Sequence, residues 1–115
     1  MVSTGPVSPM PMAIPDEGVL LVGGTFDPPH VAHVELADRA RGARRPGAAL
    51  VFVPAARSPH KDTGPVASDA DRIAMLERAT EGIGRAGVWT DEIDRAGAGG
   101  ASYWVDTLER ARTLV

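Results

Sequence analysis

The chain of 115 residues has no cysteine. Disulfide scaffolds, thiolate metal sites and cysteine nucleophiles are therefore excluded. It has no apolar run near the ~18 residues that a membrane-spanning helix needs, so no membrane partner is expected. It has one lysine, Lys61, among 12 basic residues, so any role that needs an ammonium group falls there. It also lacks a basic excess. With 12 basic against 15 acidic residues the formal net charge is −3, which argues against a nucleic-acid partner. What is present is a 43% apolar content and a 23% charged content. The first can build a core and the second is ordinary for a globular chain, so wholesale disorder is excluded. The length suits one domain of modest stability.

Residues 1–17 carry four of the ten prolines and three of the four methionines. Pro6, Pro9, Pro11 and Pro15 forbid a helix or a paired strand. The stretch has neither a basic start nor an unbroken apolar run, so it does not read as a secretory signal. It reads as a disordered, Pro-rich tail, with the domain over 18–115. From there strand and helix patterns alternate. Residues 19–22 form a continuous apolar run that ends at Gly23-Gly24, as a buried parallel strand does. Val31, Val34, Ala37 and Ala40 recur at helical spacing over about 30–45. Arg39, Arg41, Arg44 and Arg45 close that helix as a solvated basic end, and Pro46-Gly47 stops it. Residues 49–53 are a second buried strand, ended by Pro54. Ser68 caps a second helix with Asp71 three positions on. Its apolar positions are Ile73, Leu76, Thr80 and Ile83, and Arg72 reads as a structural salt-bridging residue. Residues 87–90 are a weaker third strand, followed by an acidic, Gly-rich loop to 101. Ser102 then caps a last helix with Val105, Leu108 and Val115 on one face. This alternation implies an α/β fold with a parallel sheet.

The first strand runs directly into Gly23-Gly24-Thr25-Phe26-Asp27-Pro28-Pro29-His30-Val31-Ala32-His33. Two glycines at a strand end let a backbone approach a ligand closely. The helix that follows offers free N–H groups and the positive end of its dipole, an anion site at the sheet edge where open α/β folds bind ligands. His30 and His33 are three apart and can face one ligand from the first turn. Two imidazoles there suit nucleotide phosphates. A metal site from Asp27, His30, His33 and His60 is the disfavoured alternative, because nothing brings His60 near, and no resident metal is expected.

This segment resembles the GTFDPxHxGH signature of the nucleotidylyltransferase superfamily, with Ala32 where the family has Gly. Two further blocks resemble bacterial nicotinate mononucleotide adenylyltransferase. One is Phe52-Val53-Pro54-Ala55 with Ser58-Pro59-His60-Lys61 and, downstream, Ser68, Arg72, Met75 and Leu76. The other is Glu92 and Arg95 followed by Ser102-Tyr103-Trp104-Val105-Asp106-Thr107-Leu108, similar to E-x-x-R…S-Y-T-x-D-T-L. Trp104 stands where the family has Thr, and the spacer 97–100 is longer.

The resemblance implies a Rossmann-like α/β fold of the nucleotidylyltransferase type, here about three parallel strands in the order 3-2-1 with flanking helices. The family is longer, with a fourth strand beside the first and an I-S-S/T-T-x-I-R motif that grips the triphosphate. No such segment occurs in these residues, so the expectation is the N-terminal part of such a domain. The implied activity is adenylyl transfer from ATP, with Mg²⁺, to nicotinate mononucleotide, in a cytoplasmic enzyme of NAD biosynthesis. His30, His33 and Lys61 would be catalytic, and Gly23, Gly24, Thr25 and Phe26 would join both histidines around ATP. Asp27, Lys61, Ser102, Tyr103 and Trp104 would face the mononucleotide, with Asp27 also bracing its loop. Trp104 reads equally as core. The alternatives are a nucleotidylyltransferase for phosphopantetheine or a polyol phosphate, and a non-catalytic nucleotide-binding fragment. Homo-oligomerisation is left open.

Overall fold

In a computed structural model the described residues are 6–26, 29, 31–56, 67–97 and 104–115. Strand β1 (Val19–Gly24) leads to helix α1 (Val31–Arg44), and β2 (Ala49–Pro54) leads to α2 (Asp69–Thr80). The short strand β3 (Ala86–Val88) precedes α3 (Asp91–Gly97) and α4 (Trp104–Arg112). The sheet has the order β1-β2-β3 with both pairings parallel. This is the α/β architecture expected from the alternating pattern, with the strand order that the family resemblance implied. Val19 stands beside Ala49 and Gly24 beside Pro54, so β1 and β2 end at the same level. Ser68 caps α2 as its side chain accepts the Asp71 N–H, which satisfies one of the orphan donors of the first turn.

The central strand β2 is buried along its whole length, and its period of two divides the core. Leu50 and Phe52 face Val34 of α1 and Leu76 of α2 on one side. Ala49, Val51 and Val53 face Trp89 and Ala111 on the other. Strand β1 lies at the sheet edge and is only half-buried. None of the described helices is long and apolar enough to cross a membrane.

Four expectations are corrected. The described part of the tail, residues 6–17, is not a disordered appendage. Val7, Met10 and Met12 pack against the second core face. The Ser8 carbonyl accepts the Trp89 indole N–H at 2.8 Å, and the Ser8 N–H donates to Asp91 at 2.9 Å. The prolines exclude regular structure but not docking, and three apolar side chains favour burial. The acidic segment after β3 is a helix, α3, because Asp91, Glu92 and Asp94 in its first turn complement the helix dipole.

Helix α4 also turns the opposite face inward. Val105, Leu108 and Val115 are exposed, while Thr107, Arg110 and Ala111 are buried. The reason is Asp91, which is fully buried and accepts Arg110 Nε at 2.6 Å and Nη2 at 2.9 Å. Finally, Arg41 is not part of a solvated helix end. It is buried, and its Nη1 donates to the carbonyls of Ala48 and Arg85, clamping α1 to the start of β2 and the turn before β3.

Candidate functional site

The site is built where β1 and β2 end together. After β1 the chain passes through Thr25 to Phe26, whose φ of 52° lies in the left-handed region. That conformation costs on the order of 1–3 kcal/mol for a residue with a side chain. The surroundings hold it in place. The Phe26 ring packs edge-on against Phe52, with centroids 5.9 Å apart. A Cβ on Gly24 would stand 3.1 Å from that same ring. A Cβ on Gly23 would stand 2.7 Å from the Trp104 indole. The glycines thus leave room for two aromatic rings of the chain itself, a use the sequence reading did not foresee.

The end of β2 is tied to the same loop. The Ala55 N–H donates to the Gly24 carbonyl at 2.8 Å. Arg72 of α2, fully buried, donates from Nη1 to the carbonyls of Thr25 at 2.8 Å and Ala55 at 2.7 Å, and from Nη2 to Asp69 at 2.6 Å. The salt bridge expected for Arg72 is present, with Asp69. The two backbone contacts were not foreseen, because they depend on where two loops distant in sequence come to lie.

Of the expected site residues, Gly23, Gly24, Thr25 and Phe26 lie together at the C-terminal edge of the sheet, and Trp104 joins them as the first residue of α4. Trp104 is 42% exposed with its ring over Gly23, so it is neither a core residue nor fully open. His33 is on the exposed first turn of α1. Asp27, His30, Lys61, Ser102 and Tyr103 lie outside the described residues, as does His60.

Behind Trp104, the second resemblance block forms a buried brace between α3 and α4. Arg95 donates from Nη2 to Thr107 at 3.0 Å, and its Nη1 is 3.8 Å from Asp91. Burial pushes the Asp91 carboxyl up. The hydrogen bonds from Arg110 and the Ser8 N–H, with the charges of Arg110 and Arg95, outweigh this and hold it below the usual carboxylate range. Its hydrogen bond to Asp91 holds the Arg110 guanidinium above its usual value, against the opposing effect of burial. Among the described residues no three His, Asp or Glu side chains could hold a metal ion.

A glycine-bearing strand end that runs toward a helix N-terminus, on a parallel sheet covered by helices, is an α/β architecture of the Rossmann-like kind. Residues 21–111 match the Cytidylyltransferase-like family model, and the chain belongs to that family. It is 39% identical over 80 residues to a protein of Listeria monocytogenes (serotype 4b, strain F2365) named probable nicotinate-nucleotide adenylyltransferase, covering 67% of this chain and 40% of the relative. Proteins of the same name from Halalkalibacterium halodurans and Pseudomonas putida (strain W619) are 41% and 39% identical over 78 residues each. Those matches cover 67% and 65% of this chain, and 37% and 33% of the relatives. The chain thus spans about two fifths or less of the length of the curated relatives it matches.

Proposed function

We propose that these residues form the phosphate-holding side of an adenylyltransferase that joins nicotinate mononucleotide to the adenylyl group of ATP. A phosphate oxygen of the mononucleotide attacks the α-phosphorus of ATP. The bond from that phosphorus to the β-phosphate's bridging oxygen breaks, deamido-NAD forms, and pyrophosphate leaves. The attacking group is already an anion, so no strong base is required. The work is positioning two anions and stabilising charge on the α-phosphate and the leaving group. His30 and His33 would contact the phosphates from the start of α1, with Lys61 as the cation above them. The backbone from Gly23 to Phe26 would approach the nucleotide, and Asp27, Ser102, Tyr103 and Trp104 would border the mononucleotide. Mg²⁺ enters with ATP as part of the substrate, held by the phosphates.

The observation that carries this reading is the Gly23-Gly24-Thr25-Phe26 stretch at the C-terminal edge of a parallel sheet, with His33 in the first turn of the next helix, in a chain with relatives of that name. A second reading, nucleotide binding without turnover, draws on β1. Among the described residues that strand pairs only with β2, so the site has a wall on one side of it. Isothermal titration of Mg–ATP and nicotinate mononucleotide into the chain, with pyrophosphate release followed in parallel, separates the two. Turnover supports the transferase, and binding without pyrophosphate supports the second reading. A folded sample that binds neither ligand refutes both.

A further inference from the structure

We infer that Arg72 is a positioning residue whose single guanidinium sets the orientation of the peptide groups that leave both β1 and β2. The inference rests on the phosphate-site reading above for its purpose, and on geometry alone for its substance. Gly24 and Pro54 are the last register partners of the two strands. Thr25 and Ala55 are therefore the first residues beyond the ladder on each side. Their carbonyls converge on one atom, Arg72 Nη1, at 2.8 and 2.7 Å. The guanidinium is fully buried, and Asp69 in the first turn of α2 holds its other arm at 2.6 Å.

In a planar trans peptide the C=O and the N–H point in opposite directions. Drawing the Thr25 carbonyl toward Arg72 therefore aims the Phe26 N–H away from it. Drawing in the Ala55 carbonyl does the same for the Ala56 N–H. Two donors at adjacent strand ends are thus presented together, while the carbonyls that would repel a phosphate are turned inward. The positive charge behind both peptides polarises them further toward donation. An arginine serving only as a helix-surface ion pair would have no need of carbonyls from two loops. The left-handed Phe26 is the point at which the chain accommodates this orientation.

The test uses the full chain with the Arg72→Met and Arg72→Lys variants. Nuclear magnetic resonance of the ligand-free protein follows the carbonyl carbons of Thr25 and Ala55, with the β2 amides of Val51 and Phe52 as internal references. The expected result for Arg72→Met is that both carbonyls shift together while the β2 amides stay in place. Mg–ATP should perturb the Phe26 and Ala56 amides of the unsubstituted chain. Its affinity should fall about tenfold or more in Arg72→Met, the cost expected for lost hydrogen bonds from a charged donor. Arg72→Lys, which keeps a charged donor, should recover part of that loss.

Carbonyls that stay in place in Arg72→Met, or only one that moves, overturn the inference. So does ATP binding unchanged by the substitution, or the collapse of β2 dispersion in both variants, which would mark a purely structural arginine. If the unsubstituted chain binds no ATP, the proposed function falls. The paired carbonyl shift then still decides whether Arg72 orients both loops.

Discussion

At the scale of single residues, the glycines at the end of β1 and the acid at the start of α3 are closely surrounded by other side chains. Gly24→Ala places a methyl against the Phe26 ring. It should cost about 1–3 kcal/mol, as overpacking does, read from urea denaturation midpoints. A cost near zero would show that Phe26 is not held by this contact. Asp91→Asn leaves Arg110 buried against a neutral partner and should cost about 3–5 kcal/mol. The pH dependence follows from the direction of the shift. The folded-state pKa of Asp91 is depressed. Its contribution is therefore fully present above the unfolded carboxyl value of about 3.9, and is lost as pH falls through the lower folded value. The Asn variant should lack that part of the acid limb in a series of urea melts. An acid limb as steep as that of the unsubstituted chain would show that Asp91 does not carry it.

At the scale of elements, docking of residues 6–12 and the reversed face of α4 are two halves of one arrangement. Both cover the Ala49, Val51 and Val53 side of the sheet, and both meet at Asp91, through Ser8 and Arg110. Met10→Asp should lower stability by about 1–3 kcal/mol, the scale of a buried methionine side chain. It should also shift the emission of Trp89 to the red as water reaches the indole. Unchanged Trp89 emission and stability would show that the segment does not cover this face. In α4 a matched pair tests which face is buried. Leu108→Lys, on the exposed side, should change stability by no more than about 0.5 kcal/mol. Ala111→Leu, on the packed side, should cost about 1–3 kcal/mol. The opposite ranking would restore the face read from apolar spacing. That spacing misleads here because a buried ion pair outweighs the pull of Val105 and Leu108.

At the scale of the whole molecule, the open side of β1 dominates. Among the described residues its outer edge has no partner, Leu20 is 36% exposed, and α4 leaves Val105 60% and Leu108 40% exposed. An apolar edge strand is a template for pairing with another chain. The chain should therefore self-associate in a concentration-dependent way in sedimentation experiments, and Leu20→Lys should reduce the association. A monomer at all concentrations, with Leu20→Lys indistinguishable from it, would show that the edge is protected.

The sequence alone determined the order of strands and helices through the main helices, the cap at Ser68 and the place of Gly23 and Gly24 at the end of the first strand. Each of these is written in short-range chemistry: unbroken apolar runs, a hydroxyl followed by an acid, glycines before a helix start. Only the tertiary structure decided the rest. It gave Arg72 and Arg41 their carbonyl partners, filled the space above Gly23 and Gly24 with Trp104 and Phe26, docked residues 6–12 on the core, and turned α4 about the Asp91–Arg110 pair. Those contacts join positions up to 104 residues apart, as Arg110 to the Pro6 carbonyl does. No local pattern specifies such contacts, because a buried charge takes whatever partner the assembled fold brings within hydrogen-bond reach.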